Sequence, residues 1–169
     1  GIFYEPAAMD MIEKHIPDMT QAQLVSGADE AIRKMWALGL TGIHDFDSMD
    51  GFSALQTLQE NRRLKMRVVK GIPLADVSFA VKMGLHSGFG NDMLQIGSVK
   101  AFMDGAIGPL TAAMIAPYEG KSDDYGILLM DGEELYEQIR EAAENGMSTA
   151  VHAIGDRANH ETLQAFGQL

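Results

Sequence analysis

The sequence predicts an α/β fold built on parallel strands. Four apolar, strand-like stretches alternate with helical ones, and each runs into polar or glycine-containing residues at its carboxyl end. Strands alternating with helices imply right-handed βαβ units and a parallel sheet. Most of the helices carry their own start and stop signals.

Residues 7–15 form a helical stripe, with apolar side chains at 8, 9, 12 and 16. Ile16-Pro17 breaks it, because a residue before proline is pushed out of the helical region. Thr20, with Gln23 three residues on, makes a capping-box pattern for a helix over 21–38. Leu24, Ala28, Ala31, Ile32, Met35 and Trp36 are expected on its buried face, and Gly39 as its stop. Residues 40–46 read as a strand, 49–61 as a helix, 66–72 as a strand closed by Pro73, and 75–83 as a helix. A glycine-rich loop over 84–91 leads to the third strand, 94–103. Residues 111–129 form a long polar loop, of a length usual for lids and binding loops. Asp131 caps a helix over 132–145 that stops at Gly146. The fourth strand, 147–152, ends on His152, and a last helix starts at Asp156.

The chain of 169 residues is read as a single domain over 1–169, long enough to bury a real core. A formal net charge of −11 speaks against a nucleic-acid surface and against an anionic membrane face. No run approaches the ~18 apolar residues of a membrane span. The first residues show no basic region followed by an apolar core, so the expected location is cytoplasmic. With no cysteine, disulfide scaffolds, zinc–thiolate sites and cysteine nucleophiles are excluded. The expected partner is a small-molecule substrate.

His152 ends a strand and is followed by Ala-Ile-Gly-Asp. That is where parallel α/β folds place their chemistry, and imidazole is the commonest metal ligand. Lys100 lies between Val99 and Ala101 in an apolar strand, where desolvating an ammonium is costly. It faces a polar crevice, reaches water from an edge strand, or is carboxylated by carbon dioxide into an anionic metal bridge. Asp104, before Gly105, is a carboxylate at the strand mouth or the start of a turn. His44 reaches a strand end, while alternation turns its neighbour Asp45 to the opposite face. Asp156 caps the last helix or orients a substrate. The Gly105–Gly108 loop lacks a Lys-Ser/Thr pair, so a phosphate-binding or flavodoxin-like reading is weak.

Taken together, Leu38-Gly39-Leu40-Thr41-Gly42-Ile43-His44-Asp45, the stretch from Val99 to Met114, and Val151-His152-Ala153-Ile154-Gly155-Asp156-Arg157-Ala158 resemble the amidohydrolase superfamily. The branch resembled is that of metal-dependent amidohydrolases that includes N-substituted formamide deformylase. The segment Leu128-Leu129-Met130-Asp131 and the opening Ala8-Met9-Asp10 helix fit as well. The resemblance implies a partial TIM-like (β/α)8 barrel whose four strands correspond to barrel strands two to five. It implies that Lys100 is the fourth-strand lysine, carboxylated in related enzymes, and that His152 is the fifth-strand histidine ligand. Asp104, His44 and Asp156 fall in the implied substrate pocket. Leu110 stands where relatives often carry arginine. The implied cofactor is a divalent metal, with zinc as the default.

The family's first-strand His-x-His, sixth-strand histidine and eighth-strand aspartate have no counterpart in these residues. The expectation is therefore the central portion of a longer hydrolase of amide or other C–N bonds. The segment alone is expected to be inactive, with its metal site empty and its open sheet edges pairing two copies. The alternative is a non-catalytic α/β module used for binding or assembly.

Overall fold

The computed structural model describes Met9 and residues 11–169. Of the expected first helix, Met9 and residues 11–13 are helical. Ala7, Ala8 and Asp10 lie outside the described residues, as do residues 1–6, on which the reading of the chain's start rests.

The remaining elements follow the expected order. They are α1 (Gln21–Ala37), β1 (Gly42–Asp45), α2 (Met49–Glu60), β2 (Arg67–Pro73), a 3₁₀ turn (Leu74–Asp76), α3 (Val77–Lys82), β3 (Leu94–Phe102), α4 (Gly132–Glu144), β4 (Thr149–His152) and α5 (Asp156–Phe166). The strands lie in the order β1-β2-β3-β4. β1 pairs with β2 and β2 with β3, both parallel. β4 joins β3 through Val99 N–H to Ser148 O and Met103 N–H to His152 O, each 2.8 Å. Equal steps along both strands make this pair parallel too. The fold is α/β, with the strand sequence of a partial TIM-like barrel.

The chain divides into two compact units. The first comprises Met19–Lys100 and Ile139–Ala150. One of its hydrophobic clusters gathers Ile32, Leu55, Leu58, Leu64, Met66, Val68 and Leu94. Leu58 is fully buried there, so Leu58→Ala costs about 2–5 kcal/mol. A second cluster joins Ile72, Val77, Ala80, Ile96, Val99, Ala142 and Met147.

The capping box starts α1 as expected. Thr20 N–H donates to Gln23 Oε1 at 2.8 Å, and Gln23 N–H donates back to Thr20 Oγ1 at 3.4 Å. The buried stripe differs from the expected one. Val25, Ala28, Ile32 and Met35 pack inward, whereas Ala31 and Trp36 are exposed. A helix turns about 100° per residue, so Met35 and Trp36 cannot share a narrow face. The expected helix over 75–83 is split, because Leu74–Asp76 winds as a 3₁₀ turn first.

The pairing of β2 with β3 slips by one residue. Lys70 lies opposite Ile96, but Ile72 lies opposite Val99. Gly71 and Gly97 sit at this bulge, and a Cβ on Gly97 would lie 2.5 Å from Val69 Cγ1. A bulge re-aims the side chains that follow it.

The second unit comprises Ala101–Gln138 and Val151–Leu169, with the described residues up to Asp18. Its long loop is tied down rather than loose. Leu128 bridges to Asp104, Leu129 N–H donates to Met103 O at 2.8 Å, and Tyr118 Oη–H donates to Ala112 O at 2.8 Å. Asp131 caps α4 as expected, accepting from Glu134 N–H at 2.8 Å. No helix among the described residues is long and apolar enough to cross a membrane.

Candidate functional site

β4 carries His152 to its carboxyl end, where the ring is about a quarter exposed. Its Nε2 lies 2.8 Å from the carbonyl oxygen of Gly105. A carbonyl only accepts, so Nε2 carries the proton and the neutral ring keeps its open lone pair on Nδ1. A histidine that ligates a metal through one nitrogen commonly donates its other N–H to a backbone carbonyl in this way. The ring also packs on Phe102, with centroids 5.3 Å apart. Phe102, Asp104, Gly105, Ala106, Leu129 and Met9 line an open cavity of ≈ 350 Å³ beside it.

Asp104 is 2% exposed and its carboxylate is committed to backbone donors. Oδ2 accepts from Gly155 N–H at 2.7 Å and Ala113 N–H at 2.9 Å, and Oδ1 accepts from Ile154 N–H at 2.9 Å. Asp104 thus stitches the loop after β3 to the turn between β4 and α5. Its Oδ1 stands 3.9 Å from His152 Nε2, outside hydrogen-bond reach. The mouth carboxylate expected from the sequence is therefore an organiser of backbone next to the histidine.

Asp156 is the first residue of α5, and Gly155 is the N-cap without a side-chain bond. The capping oxygen is Ala113 O, which accepts from Arg157 N–H at 3.1 Å and Ala158 N–H at 3.4 Å. Asp156 Oδ1 also accepts from Arg157 N–H at 2.9 Å, and from Ile115 N–H at 2.8 Å, holding the long loop against the start of α5.

Lys100 and His44 belong to the first unit. Lys100 alternates with the buried Val99 and is itself half-buried. Burial pushes its amine below the ordinary lysine range. Its Nζ lies 5.0 Å from the centroid of the Phe46 ring. His44 is exposed, and its ring centroid is 6.3 Å from that of Phe46. Phe46, just past β1, therefore neighbours both. Neither Phe46 nor Lys70 is marked by sequence periodicity. The desolvation argument applied to Lys100 holds with more force for Lys70, which is fully buried in β2. Lys70 Nζ pairs with Asp45 Oδ2 at 3.1 Å and donates to Asp47 O.

The donor chemistry of His152 and Lys100 suits a divalent metal: a lone pair on Nδ1, and an amine that burial biases toward its neutral form. Among the described residues, no three His, Asp or Glu side chains converge into a metal-binding group.

A family described as Amidohydrolase family matches residues 1–169. The chain is 32% identical over 172 residues to "Putative amidohydrolase YtcJ" of Bacillus subtilis (strain 168), covering 98% of this chain and 32% of that protein. It thus spans about a third of that relative's length. Two solved structures share the fold. One is an uncharacterized metal-dependent hydrolase from Pyrococcus furiosus, with TM-score 0.82, 29% identity, and 95% of this chain and 34% of that chain covered. The other is an uncharacterized metal-dependent hydrolase from Pyrococcus horikoshii OT3, with TM-score 0.80, 28% identity, and 89% and 31% covered.

Proposed function

Because the chain belongs to the amidohydrolase family, we propose that it forms the metal-ligating middle of a metal-dependent hydrolase acting on an amide or other C–N bond. The branch proposed is the one that includes N-substituted formamide deformylase. The observation that carries this reading is the His152 Nε2–Gly105 O bond, which leaves Nδ1 as the open ligand. Lys100 is the second ligand, as a carbamate. Its neutral amine attacks the carbon of carbon dioxide, an N–C bond forms, one C=O electron pair moves to oxygen, and a proton leaves to solvent. Burial of the amine favours the neutral form that this step needs.

Zinc is the proposed metal. His152 and the Lys100 carbamate would hold a divalent ion, which when bound would supply a coordinated water of lowered pKa and polarisation of a carbonyl. Asp104 fixes the loop that carries Gly105 and so holds the tautomer of His152. His44 and Asp156 are proposed pocket residues. Two ligands fall short of the about three or four protein groups that zinc takes, so the remainder comes from elsewhere in the complete barrel. The segment alone is accordingly proposed to be inactive, cytoplasmic, and prone to pair two copies along its outer strands.

The test is hydrolysis by the complete enzyme of amide, formamide, cyclic amide and imine substrates, before and after chelation. Activity on at least one, lost with the metal and restored by zinc, supports the reading. Full activity after the metal is stripped overturns it.

A further inference from the structure

Phe46 stands outside every regular element, yet it is fixed from three directions. Lys70 is buried in β2 and reaches the residues on both sides of it. Its Nζ pairs with Asp45 Oδ2 at 3.1 Å and donates to the carbonyl of Asp47. Asp47 N–H closes the turn by donating to Asp45 Oδ1 at 3.0 Å. A fully buried ammonium that lost the Asp45 carboxylate would be left uncompensated, so this grip is costly to release. The third restraint is Gly71, at the bulge between β2 and β3. A Cβ there would lie 2.4 Å from Phe46 Cδ1 and 2.9 Å from Cε1, so the ring occupies the space a side chain would take. The ring's outer face meets Lys100 Nζ, 5.0 Å from its centroid.

We infer that Phe46 is a positioning residue for Lys100: the Lys70 clamp and the Gly71 seat aim its ring at the lysine and set the direction in which the amine is presented. This explains three features together. Lys70 is buried although its charge is expensive there, β2 carries glycine at the bulge, and an aromatic ring 42% exposed to water is held in one place. The value of the device for catalysis rests on the proposal that Lys100 becomes a metal-bridging carbamate, but the positioning itself does not.

The test is an NMR measurement on the full chain with ¹³C-labelled lysine. Protons over an aromatic face are shifted upfield, so the Lys100 ε-methylene should stand apart from the other lysines. Phe46→Leu should remove the shift. Gly71→Ala and Lys70→Met should reduce it although Phe46 is still present, and Phe46→Tyr should retain it. The Lys82 ε-methylene, near Phe79, serves as the internal control and should not move. An unshifted Lys100, or a shift that persists unchanged in folded Gly71→Ala and Lys70→Met, overturns the inference.

A second readout separates it from the metal reading. With ¹³C-bicarbonate and zinc, Phe46→Leu should raise Lys100 carbamate occupancy about two- to fivefold, because carbamate formation gives up the attraction of the ammonium for the ring face. Occupancy equal in both proteins overturns the inference. If no carbamate forms in the native chain or in the complete enzyme, the metal reading fails, while the ring-current result still decides the positioning.

Discussion

The Gly155 amide donates to Asp104 Oδ2 at 2.7 Å, joining the second residue after the third strand to the residue before the last helix. With the bonds from Ala113 and Ile154, this fixes the surroundings of His152 through backbone amides gathered on one carboxylate. The histidine is presented by a frame whose one charged member is buried.

Asp104→Asn tests that frame. Asn keeps the size but offers one carbonyl oxygen where two carboxylate oxygens served three donors, so a buried N–H faces an NH₂ group. A loss of about 2–4 kcal/mol is expected in urea unfolding. A loss below about 1 kcal/mol would mean that the frame holds without its carboxylate.

Gly155→Ala tests the close approach of the loop. An added Cβ would lie 1.8 Å from Ala113 O, which is backbone and also caps α5. The expected cost is about 3 kcal/mol or more, since neither partner can rotate away. Amide exchange should accelerate first at Arg157 and Ala158, whose N–H groups bond that carbonyl. A variant of native stability and exchange would contradict the contact.

The pH dependence of stability should carry the mark of Asp29. The bond from Arg63 holds its carboxyl below the ordinary value of 3.8, and the charge of Arg33 adds to this. Its folded pKa is depressed, so its contribution is complete above 3.8 and is lost as pH falls through the lower folded value. As pH falls below 3.8, the stability of the native chain in chemical denaturation should therefore drop faster than that of Asp29→Asn. Parallel curves would sink this assignment.

Much of the fold was legible because its signals are local. The Thr20–Gln23 box, the Asp131 cap and the strand end at His152 are each written within a few residues. The burial of Trp36 was misread because helical phase shifts by a full face from one residue to the next. Among the candidate residues, His152 and Lys100 stood out by residue type and place. The partners of Asp104 did not, because they are backbone amides up to 51 residues away in sequence, and an amide carries no sequence signature. Lys70 was visible as a lysine in an apolar strand, but its role required knowing that Asp45 lies opposite it in register.

We propose that His152 and Lys100 hold the metal. This is tested most directly by elemental analysis of the complete hydrolase, with mass spectrometry of the Lys100 peptide. The expected result is bound zinc, the added mass of carbon dioxide on Lys100, and metal content that falls by at least half in His152→Ala and in Lys100→Ala. Unchanged metal content in both folded variants would contradict the account.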